Sequence, residues 1–217
     1  MRSICKEGNA MKVLLINGSP HKNGCTFTAL REVEKTLLQE GVETEIIHIG
    51  SKPIQGCTAC GHCFTGPDRC VFDDDLVNRV LEKAEQADAF IFGSPVYYAS
   101  GAGSMIAFMD RLFFAGDCFK NKPGACVVSA RRAGTTAALD QMLKYLTISN
   151  MMVVGSQYWA MVHGSNPEEV QKDLEGMQVM RTLGLNMAWL LKCIEAGKQA
   201  GVALPEREKR VWTNFIR

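Results

Sequence analysis

Five short strand-like runs, separated by segments with helical spacing, constrain the fold of this 217-residue chain more than any other feature. Several of these runs are continuously apolar, which is typical of parallel strands buried on both faces. They cover residues 13–16, 43–49, 89–92, 125–129 and 151–155. Helical spacing is found over residues 26–40, 74–86, 103–114, 135–146 and 166–196, with a break predicted near Gly184. This alternation predicts an α/β doubly wound sheet with right-handed connections.

The loop after the first strand has the composition of a site for a phosphate group. Gly18 and Gly24 allow close approach, and the following helix N-terminus offers unpaired amides that bind anions. No Asp or Glu lies between Gly8 and Arg31, so an anion would meet no repulsion there. The candidate phosphate contacts are Ser19, His21, Lys22, Asn23, Cys25 and Thr26. An ordinary strand-to-helix turn, which also favours Gly, Ser and Asn, is the alternative interpretation.

The same loop can be compared with three other phosphate-binding motifs. Cys25 and Arg31 have the spacing of phosphatases that use a cysteine nucleophile, but the residues between them read as helix rather than as a phosphate-binding curl. The loop also lacks the Gly-Lys-Ser/Thr ending of a Walker loop and the glycine fingerprint of dinucleotide-binding sites. A mononucleotide phosphate is therefore the ligand that the loop favours.

The sequence GSPHKNGCT at residues 18–26 resembles the phosphate loop of the NADPH-dependent FMN reductase-like family, a flavodoxin-fold group that includes the iron–sulfur flavoproteins. GSPVYY at 93–98, followed by FMDRL at 108–112, is similar to that family's second motif. The resemblance spans about residues 11–160. The loop departs from the family pattern at His21, where Arg is common, and at Cys25, where Asn or Ser is common.

The resemblance implies a three-layer flavodoxin-like fold with a five-stranded parallel sheet of order 2-1-3-4-5, and FMN as the cofactor. In such a sheet, ligands bind beyond the carboxyl ends of the strands at the topological switch point. The loops after the third and fourth strands should therefore face the same crevice as the phosphate loop. The candidate flavin contacts in them are Pro95, Val96, Tyr97, Tyr98, Ser129, Arg131, Arg132 and Gly134. A turn with buried tyrosines and solvent-exposed arginines is the alternative.

The positions of these motifs along the chain indicate the domain organisation. Residues 1–10 are interpreted as an N-terminal extension, and residues 11–165 as a flavodoxin-like FMN-binding domain with a cysteine-rich loop at 50–74. Residues 166–217 are interpreted as a C-terminal helical extension and tail. The segment 167–196 carries more apolar side chains than one narrow stripe needs, which indicates a second surface and, with the resemblance, a homo-oligomer, either dimer or tetramer. Those side chains are Met177, Met180, Leu183, Met187, Trp189, Leu190, Leu191 and Ile194.

Four of the nine cysteines lie within fourteen residues, in the pattern Cys57-x2-Cys60-x2-Cys63-x6-Cys70. An odd number of cysteines without a secretory signal favours reduced thiols in the cytoplasm over a disulfide framework. Three thiolates at this spacing can hold one corner of a [4Fe–4S] cluster and a fourth can complete it, and the pattern resembles the motif of the iron–sulfur flavoproteins. A zinc site and a redox-active or structural thiol loop remain the alternatives.

Charge and hydropathy narrow the function classes. A formal net charge of +1 gives no long-range field for nucleic acid, and no stretch approaches the ~20 apolar residues of a membrane helix. The prediction is an FMN-binding oxidoreductase that uses NAD(P)H to reduce flavin, quinone or another small acceptor, with no protein side chain assigned to catalysis. The alternative is an iron–sulfur flavoprotein that carries electrons, linked to ferredoxin, without a small-molecule substrate of its own.

Overall fold

The computed structural model describes residues 11–66, 68–209 and 211–215, so the predicted extension at 1–10 lies outside the described residues. Within them the chain forms seven strands and seven helices. The strands are β1 Lys12–Asn17, β2 Glu43–His48, β3 Ala89–Tyr97, β4 Ser100–Gly101, β5 Pro123–Ala130, β6 Met152–Val153 and β7 Met161–His163. The helices are α1 Cys25–Gln39, α2 His62–Thr65, α3 Val77–Gln86, α4 Gly103–Ala115, α5 Thr135–Ile148, α6 Pro167–Lys172 and α7 Leu174–Gln199.

The main sheet has the order β2-β1-β3-β5-β6, and every pairing along it is parallel. When only the five predicted strands are numbered, this is the predicted order 2-1-3-4-5. The predicted count of five was wrong, because two short strands are added. β4 pairs antiparallel with β3, and β7 pairs with β5 beyond the end of β6. The last position of the sheet is therefore shared by two strands, since the chain leaves β5 after Val153 and returns to it at Met161.

Both faces of the sheet are covered, as the continuous apolar runs predict. In β1, Leu14 and Ile16 join the core formed with α3, α4 and α5, whereas Val13 and Leu15 join the core formed with α1 and α7. All of these side chains are fully buried. A strand buried on two faces has no polar side to expose, and this explains why its sequence does not alternate.

Helix α7 runs through Gly184 without the predicted break. The interruption lies instead at Asp173, whose carboxylate accepts hydrogen bonds from the Gly176 amide at 2.9 Å and the His163 amide at 2.7 Å. A Cβ on Gly184 would lie 2.8 Å from Cβ of Thr36, so the glycine allows α7 to cross closely over α1. The predicted boundary at 165/166 remains a prediction, but α7 packs within the same core as α1.

Candidate functional site

The phosphate loop, residues 18–26, closes on itself through short-range hydrogen bonds. The Asn17 side chain accepts from the Ser19 amide and donates to the Lys22 carbonyl, each at 3.1 Å. Ser19 Oγ accepts from the His21 amide at 3.1 Å, and the Gly24 amide donates to the His21 carbonyl at 3.2 Å. Short-range hydrogen bonds among its own residues and Asn17 therefore hold most of the loop.

Two scaffold residues of this loop were missed by sequence reasoning. Asn17 is fully buried at the end of β1 and was read only as a strand boundary. His48, at the end of β2, donates from Nε2 to the Ser19 carbonyl at 2.7 Å. A buried Asn directly before a Gly-Ser turn is a signal that could have pointed to Asn17. The contact from His48 spans 29 positions and has no local signal.

The loop leaves donors available for an anion. The first bond within α1 runs from the Thr28 amide to the Gly24 carbonyl, so the amides of Cys25, Thr26 and Phe27 have no partner within the helix. Gly24 at the N-cap supplies no side-chain cap. Because Ser19 Oγ accepts from an amide, its own hydroxyl proton is free to donate. This donor set fits a phosphate group.

Gly18 places the loop directly on the neighbouring strand. Its amide donates to the Gly93 carbonyl at 2.8 Å. A Cβ at this position would lie 2.6 Å from the Met105 sulfur and 2.8 Å from the Gly93 oxygen, so the close approach requires glycine. The phosphate loop and the β3 loop therefore leave the same edge of the sheet side by side.

The second predicted segment, after β3, forms a tight hairpin with β4. Pro95 is buried and its carbonyl accepts from the Ala102 amide at 3.2 Å, while Val96 pairs with Gly101. Tyr97 is 45% exposed and Tyr98 is fully exposed at φ 61°. The alternative of buried tyrosines was therefore wrong. Exposed rings at the carboxyl edge of β3 are available to a planar ligand.

The third predicted segment, after β5, contacts both of the others. Ser129 Oγ lies 2.8 Å from Thr26 Oγ1, and both side chains are buried. One hydroxyl of this pair donates to the other, so one proton stays available to a ligand. Gly134 adopts φ 92° before α5, and a Cβ there would lie 2.8 Å from Val96 Cγ1. Ser129 and Gly134 thus join the three loops at one edge.

The cations around this edge are exposed. Arg131 and Arg132 are both exposed, and within the described part of the chain neither side chain has a hydrogen bond or an ion pair. The predicted phosphate contacts His21, Lys22 and Asn23 are also exposed, and the structure does not bring one arginine closer to the crevice than the other. Arg131, Arg132 and Lys22 supply positive charge there, and within the described residues their side chains have no ion pair.

Cys25 is not arranged as a nucleophile. Its Sγ donates to the Gly164 carbonyl at 3.6 Å. Burial raises the pKa of the Cys25 thiol, and the nearby Glu169 and Glu168 raise it further. Arg31 lies inside α1 and pairs with Glu34. This geometry does not support the phosphatase interpretation, because the residues between Cys25 and Arg31 are helical and not curled around a ligand.

The second candidate site is the cysteine loop, residues 50–74. Cys57, Cys60, Cys63 and Cys70 line one pocket at the C-terminal half of α4. Two residues in the left-handed region, Ala59 at φ 53° and Gly61 at φ 76°, reverse the chain between the first three cysteines. An L-residue such as Ala59 pays roughly 1–2 kcal/mol for this conformation. The loop therefore holds local strain that brings the three thiols to one side.

Two buried side chains outside the run of cysteines hold this loop. Asn78 accepts from the Cys70 amide at 2.9 Å and donates to the carbonyls of Cys70 and Phe72, both at 3.0 Å. Arg111, in α4, donates from Nε to Cys70 Sγ at 3.1 Å and pairs with Asp75. Sequence reasoning placed Arg111 in a family motif without a role and did not single out Asn78.

The four thiols surround a space without converging on one point. Among the described residues, no group of three or more His, Cys, Asp or Glu side chains is arranged to hold a metal ion. Burial raises the pKa of Cys63, and Cys57, Cys60 and Cys70 raise it further. The described cysteines are all free thiols. Four thiols around one pocket fit a polynuclear cluster, whose ligands are spread over several metal atoms.

Comparison with solved structures shows the fold. RosB with bound 8-demethyl-8-formylriboflavin-5'-phosphate matches with a TM-score of 0.68 at 15% identity, covering 96% of this chain and 93% of that chain. A flavodoxin from the domain Archaea matches with a TM-score of 0.56 at 17% identity, covering 84% and 99% respectively. The chain therefore has a flavodoxin-like α/β fold with a parallel sheet.

The family follows from sequence. Residues 11–166 match the family described as NADPH-dependent FMN reductase, and the chain belongs to this family. An iron-sulfur flavoprotein of Methanocaldococcus jannaschii is 32% identical over 194 residues, which cover 85% of this chain and 100% of that protein. Membership confirms the predicted family and supports an FMN-binding flavoprotein of the oxidoreductase class. No helix in the described residues has the length and apolar character needed to cross a membrane.

Proposed function

We propose that this chain binds FMN at the phosphate loop and transfers two electrons from NAD(P)H to a small acceptor such as a flavin or a quinone. The observation that carries the proposal is the joining of three loops at the carboxyl edge of β1, β3 and β5, through Gly18, Thr26, Ser129 and Gly134. Ligands of parallel α/β sheets bind at this edge. The family supplies the identity of the ligand.

Each loop has a separate task in this proposal. The amides that begin α1, with Ser19 and Thr26, hold the phosphate. The exposed Tyr97 and Tyr98 with Val96 offer apolar surface to the flavin ring. Arg131 and Arg132 supply positive charge beside it, which favours the reduced flavin. FMN held by these loops would supply the hydride and single-electron chemistry, so no protein nucleophile is required.

The test begins with the protein purified without oxygen. Released cofactor should be identified by mass as FMN, and the bound flavin should be bleached by NADH or NADPH in a rapid-mixing experiment. Reoxidation by a quinone, by free flavin and by ferredoxin then ranks the acceptors. Release of FAD, a protein that cannot be reconstituted with FMN, or a flavin that neither nicotinamide reduces would contradict the proposal.

The pocket of four thiols favours a second candidate function. With a [4Fe–4S] cluster on Cys57, Cys60, Cys63 and Cys70, the chain would exchange single electrons with a carrier such as ferredoxin. The donor set supports this, since four free thiols line one pocket. The similar protein of M. jannaschii is named an iron-sulfur flavoprotein.

The matched pair Cys63→Ser and Cys193→Ser tests the second candidate. Cys63 lines the pocket, whereas Cys193 is exposed on α7. After anaerobic reconstitution, iron and sulfide should bind to the wild type and to Cys193→Ser but should be lost from Cys63→Ser, with FMN content equal in all three. Equal iron in both variants, or none in the wild type, would contradict a cluster at these cysteines.

We also propose that the chain assembles as a homodimer or a homotetramer. The stripe of α7 that holds Met177, Met180, Leu183 and Met187 is buried within the chain. Trp189 remains 68% exposed on the other side of the helix, and tryptophan is enriched in interface cores. Light scattering of the FMN-bound protein should give at least twice the 23.9 kDa chain mass, and Trp189→Glu should reduce it. A monomer mass for the wild type would refute the assembly.

A further inference from the structure

Arg111 is a buried cation with an unusual set of partners. Its side chain is 1% exposed, and a guanidinium in that position needs its charge and its donors to be matched. Nε donates to Cys70 Sγ at 3.1 Å, Nη1 to the Gln55 carbonyl at 3.2 Å, and Nη2 to the Phe72 carbonyl at 2.9 Å. Nη1 also pairs with Asp75, which supplies the counter-charge.

These partners lie on both sides of the cysteines. Gln55 precedes Cys57, the first cysteine of the loop, whereas Cys70 is the last and Phe72 follows it. One guanidinium therefore ties the entry and the exit of the loop to α4. The Phe72 ring also lies under the guanidinium, with its centroid 5.2 Å from Cζ. Asp75 alone would satisfy the charge, so the bond to sulfur is an additional feature of the geometry.

We propose that Arg111 is a positioning residue that fixes the Cys70 sulfur as the fourth ligand of a cluster and makes the reduction potential of that cluster less negative. The inference rests on the cluster that is proposed above as the second candidate function. Hydrogen bonds to ligand sulfurs and nearby positive charge are known to tune iron–sulfur potentials. A donor that is already seated on the sulfur also fixes the direction in which Cys70 presents its lone pairs.

The geometry requires an arginine. The planar guanidinium sends Nε toward the sulfur and both Nη atoms toward the backbone and Asp75 at the same time. A lysine ammonium is a single point charge on a flexible chain and cannot reach all of these acceptors. Arg111→Lys should therefore keep the buried charge but lose the directed bond to sulfur, whereas Arg111→Gln should lose both.

The experiment compares Arg111→Lys and Arg111→Gln with the wild type and with Arg69→Gln. Arg69 is a matched control because it lies in the same loop but is exposed, bridging Asp73 and Glu82. All proteins are reconstituted anaerobically with iron and sulfide and with FMN. We then measure how much iron each protein retains in the presence of a chelator. The midpoint potential of the cluster is measured by a redox titration that is monitored by electron paramagnetic resonance.

We expect both Arg111 variants to lose iron to the chelator about 10- to 100-fold more readily, as for other residues that support metal ligands. The potential should become more negative, with a larger shift for Arg111→Gln, and Arg69→Gln should match the wild type. Unchanged retention and potential in both folded Arg111 variants would overturn the inference. A wild type that binds no iron would instead refute the cluster itself, and the inference with it.

A measurement on the wild type covers the case in which neither variant folds. Protein grown with 15N-labelled arginine is reconstituted, and the cluster is reduced for pulsed paramagnetic resonance. A bond from Nε to Cys70 Sγ should give a 15N coupling to the cluster, and this coupling should persist in Arg69→Gln. A cluster without any 15N coupling would overturn the inference.

Discussion

The phosphate loop and the cysteine loop both follow a strand of the same sheet, but they keep their shapes in different ways. The phosphate loop is held by partners within a few residues of each other, such as Asn17, Ser19 and His21. The cysteine loop is held by Asn78 and by Arg111, which lies 41 positions after Cys70. The first is shaped mainly by neighbouring residues, with distant contacts from His48 and Gly93, whereas the second depends on buried side chains of two later helices.

The difference indicates how ordered each loop is before it binds a ligand. A loop that is closed largely by its own hydrogen bonds presents the same donors before and after binding, which favours affinity for a phosphate group because little has to be ordered. A loop with exposed thiols, a strained Ala59 and distant anchors gains order from what it binds. Changes to the anchors should therefore damage the cysteine loop and spare the phosphate loop.

The largest effect is expected from Asn78→Leu. Asn78 is 2% exposed and makes hydrogen bonds to Cys70, Phe72 and Asp73. Its loss leaves buried backbone groups unpaired, at a cost of about 2–4 kcal/mol in the free energy of unfolding. Urea denaturation measures this, with Asn186→Ala as the control because Asn186 is exposed and makes one bond. A loss as small as that of the control would contradict the role of Asn78 as an anchor.

A pair of glycine variants compares the two loops directly. Gly18→Ala forces a Cβ against the Gly93 carbonyl and should lower the free energy of unfolding by about 1–3 kcal/mol. The same variant should also retain less FMN. In the cysteine loop, a Cβ added at Gly56 meets nothing within 4 Å. The free energy of unfolding of Gly56→Ala should therefore stay within about 0.5 kcal/mol of the wild-type value. Thermal unfolding and flavin content are measured for both. Equal destabilisation by the two variants would remove the contrast in packing between the loops.

Smaller effects are expected from the hydroxyl variants Ser19→Ala and Thr26→Ala. Each should weaken FMN binding by about 1 kcal/mol or more per lost bond, which is roughly a fivefold change in Kd. Fluorescence titration of apoprotein with FMN gives the affinity. Thr147→Ala is the control, since Thr147 is exposed and bonds only within α5. Wild-type affinity in the double variant would place the phosphate elsewhere.

The parts of this protein that could be predicted from the sequence are the local ones. The loop between β1 and α1 was located because a buried strand, a Gly-Ser turn and a helix start follow one another along the chain. Helix α1 was predicted within one residue at each end, and the parallel strand order was confirmed. The start of α3 is also marked by a local contact, since the Val77 amide donates to the Asp75 carboxylate at 3.0 Å.

The parts that were missed depend on contacts between distant residues. The break near Gly184 was inferred from glycine's low helix propensity. In the structure α7 continues through Gly184, because a residue without a side chain lets the helix approach Thr36 closely. The two added strands β4 and β7 are too short to show a period, and only their pairing with β3 and β5 defines them. The bond from Arg111 to Cys70 joins segments that no local pattern connects.

The smallest expected effect is a change in the stability of the cysteine loop at low pH. Hydrogen bonds from Asn78 and Arg69 lower the pKa of Asp73 in the cysteine loop. The folded pKa is then below the unfolded value of about 3.9. The stabilisation from Asp73 is therefore present above about pH 4 and is lost as the pH falls through the folded pKa. The phosphate loop has no carboxylate between Gly8 and Arg31, so it has nothing equivalent to lose.

Asp73→Asn should consequently be slightly less stable than the wild type at pH 6, and the two should converge as the pH falls through the lowered folded pKa, below which the wild-type carboxyl is neutral as well. Urea denaturation across this range gives the difference. Asp140→Asn serves as the control, since Asp140 is an exposed residue of α5 whose carboxylate has no hydrogen bond or ion pair within the described residues. Hydrogen exchange then locates the effect, and acid should deprotect residues 70–76 before residues 18–26. Simultaneous loss of protection in both loops would mean that they share one cooperative unit, and that the contrast between them is confined to their hydrogen bonds.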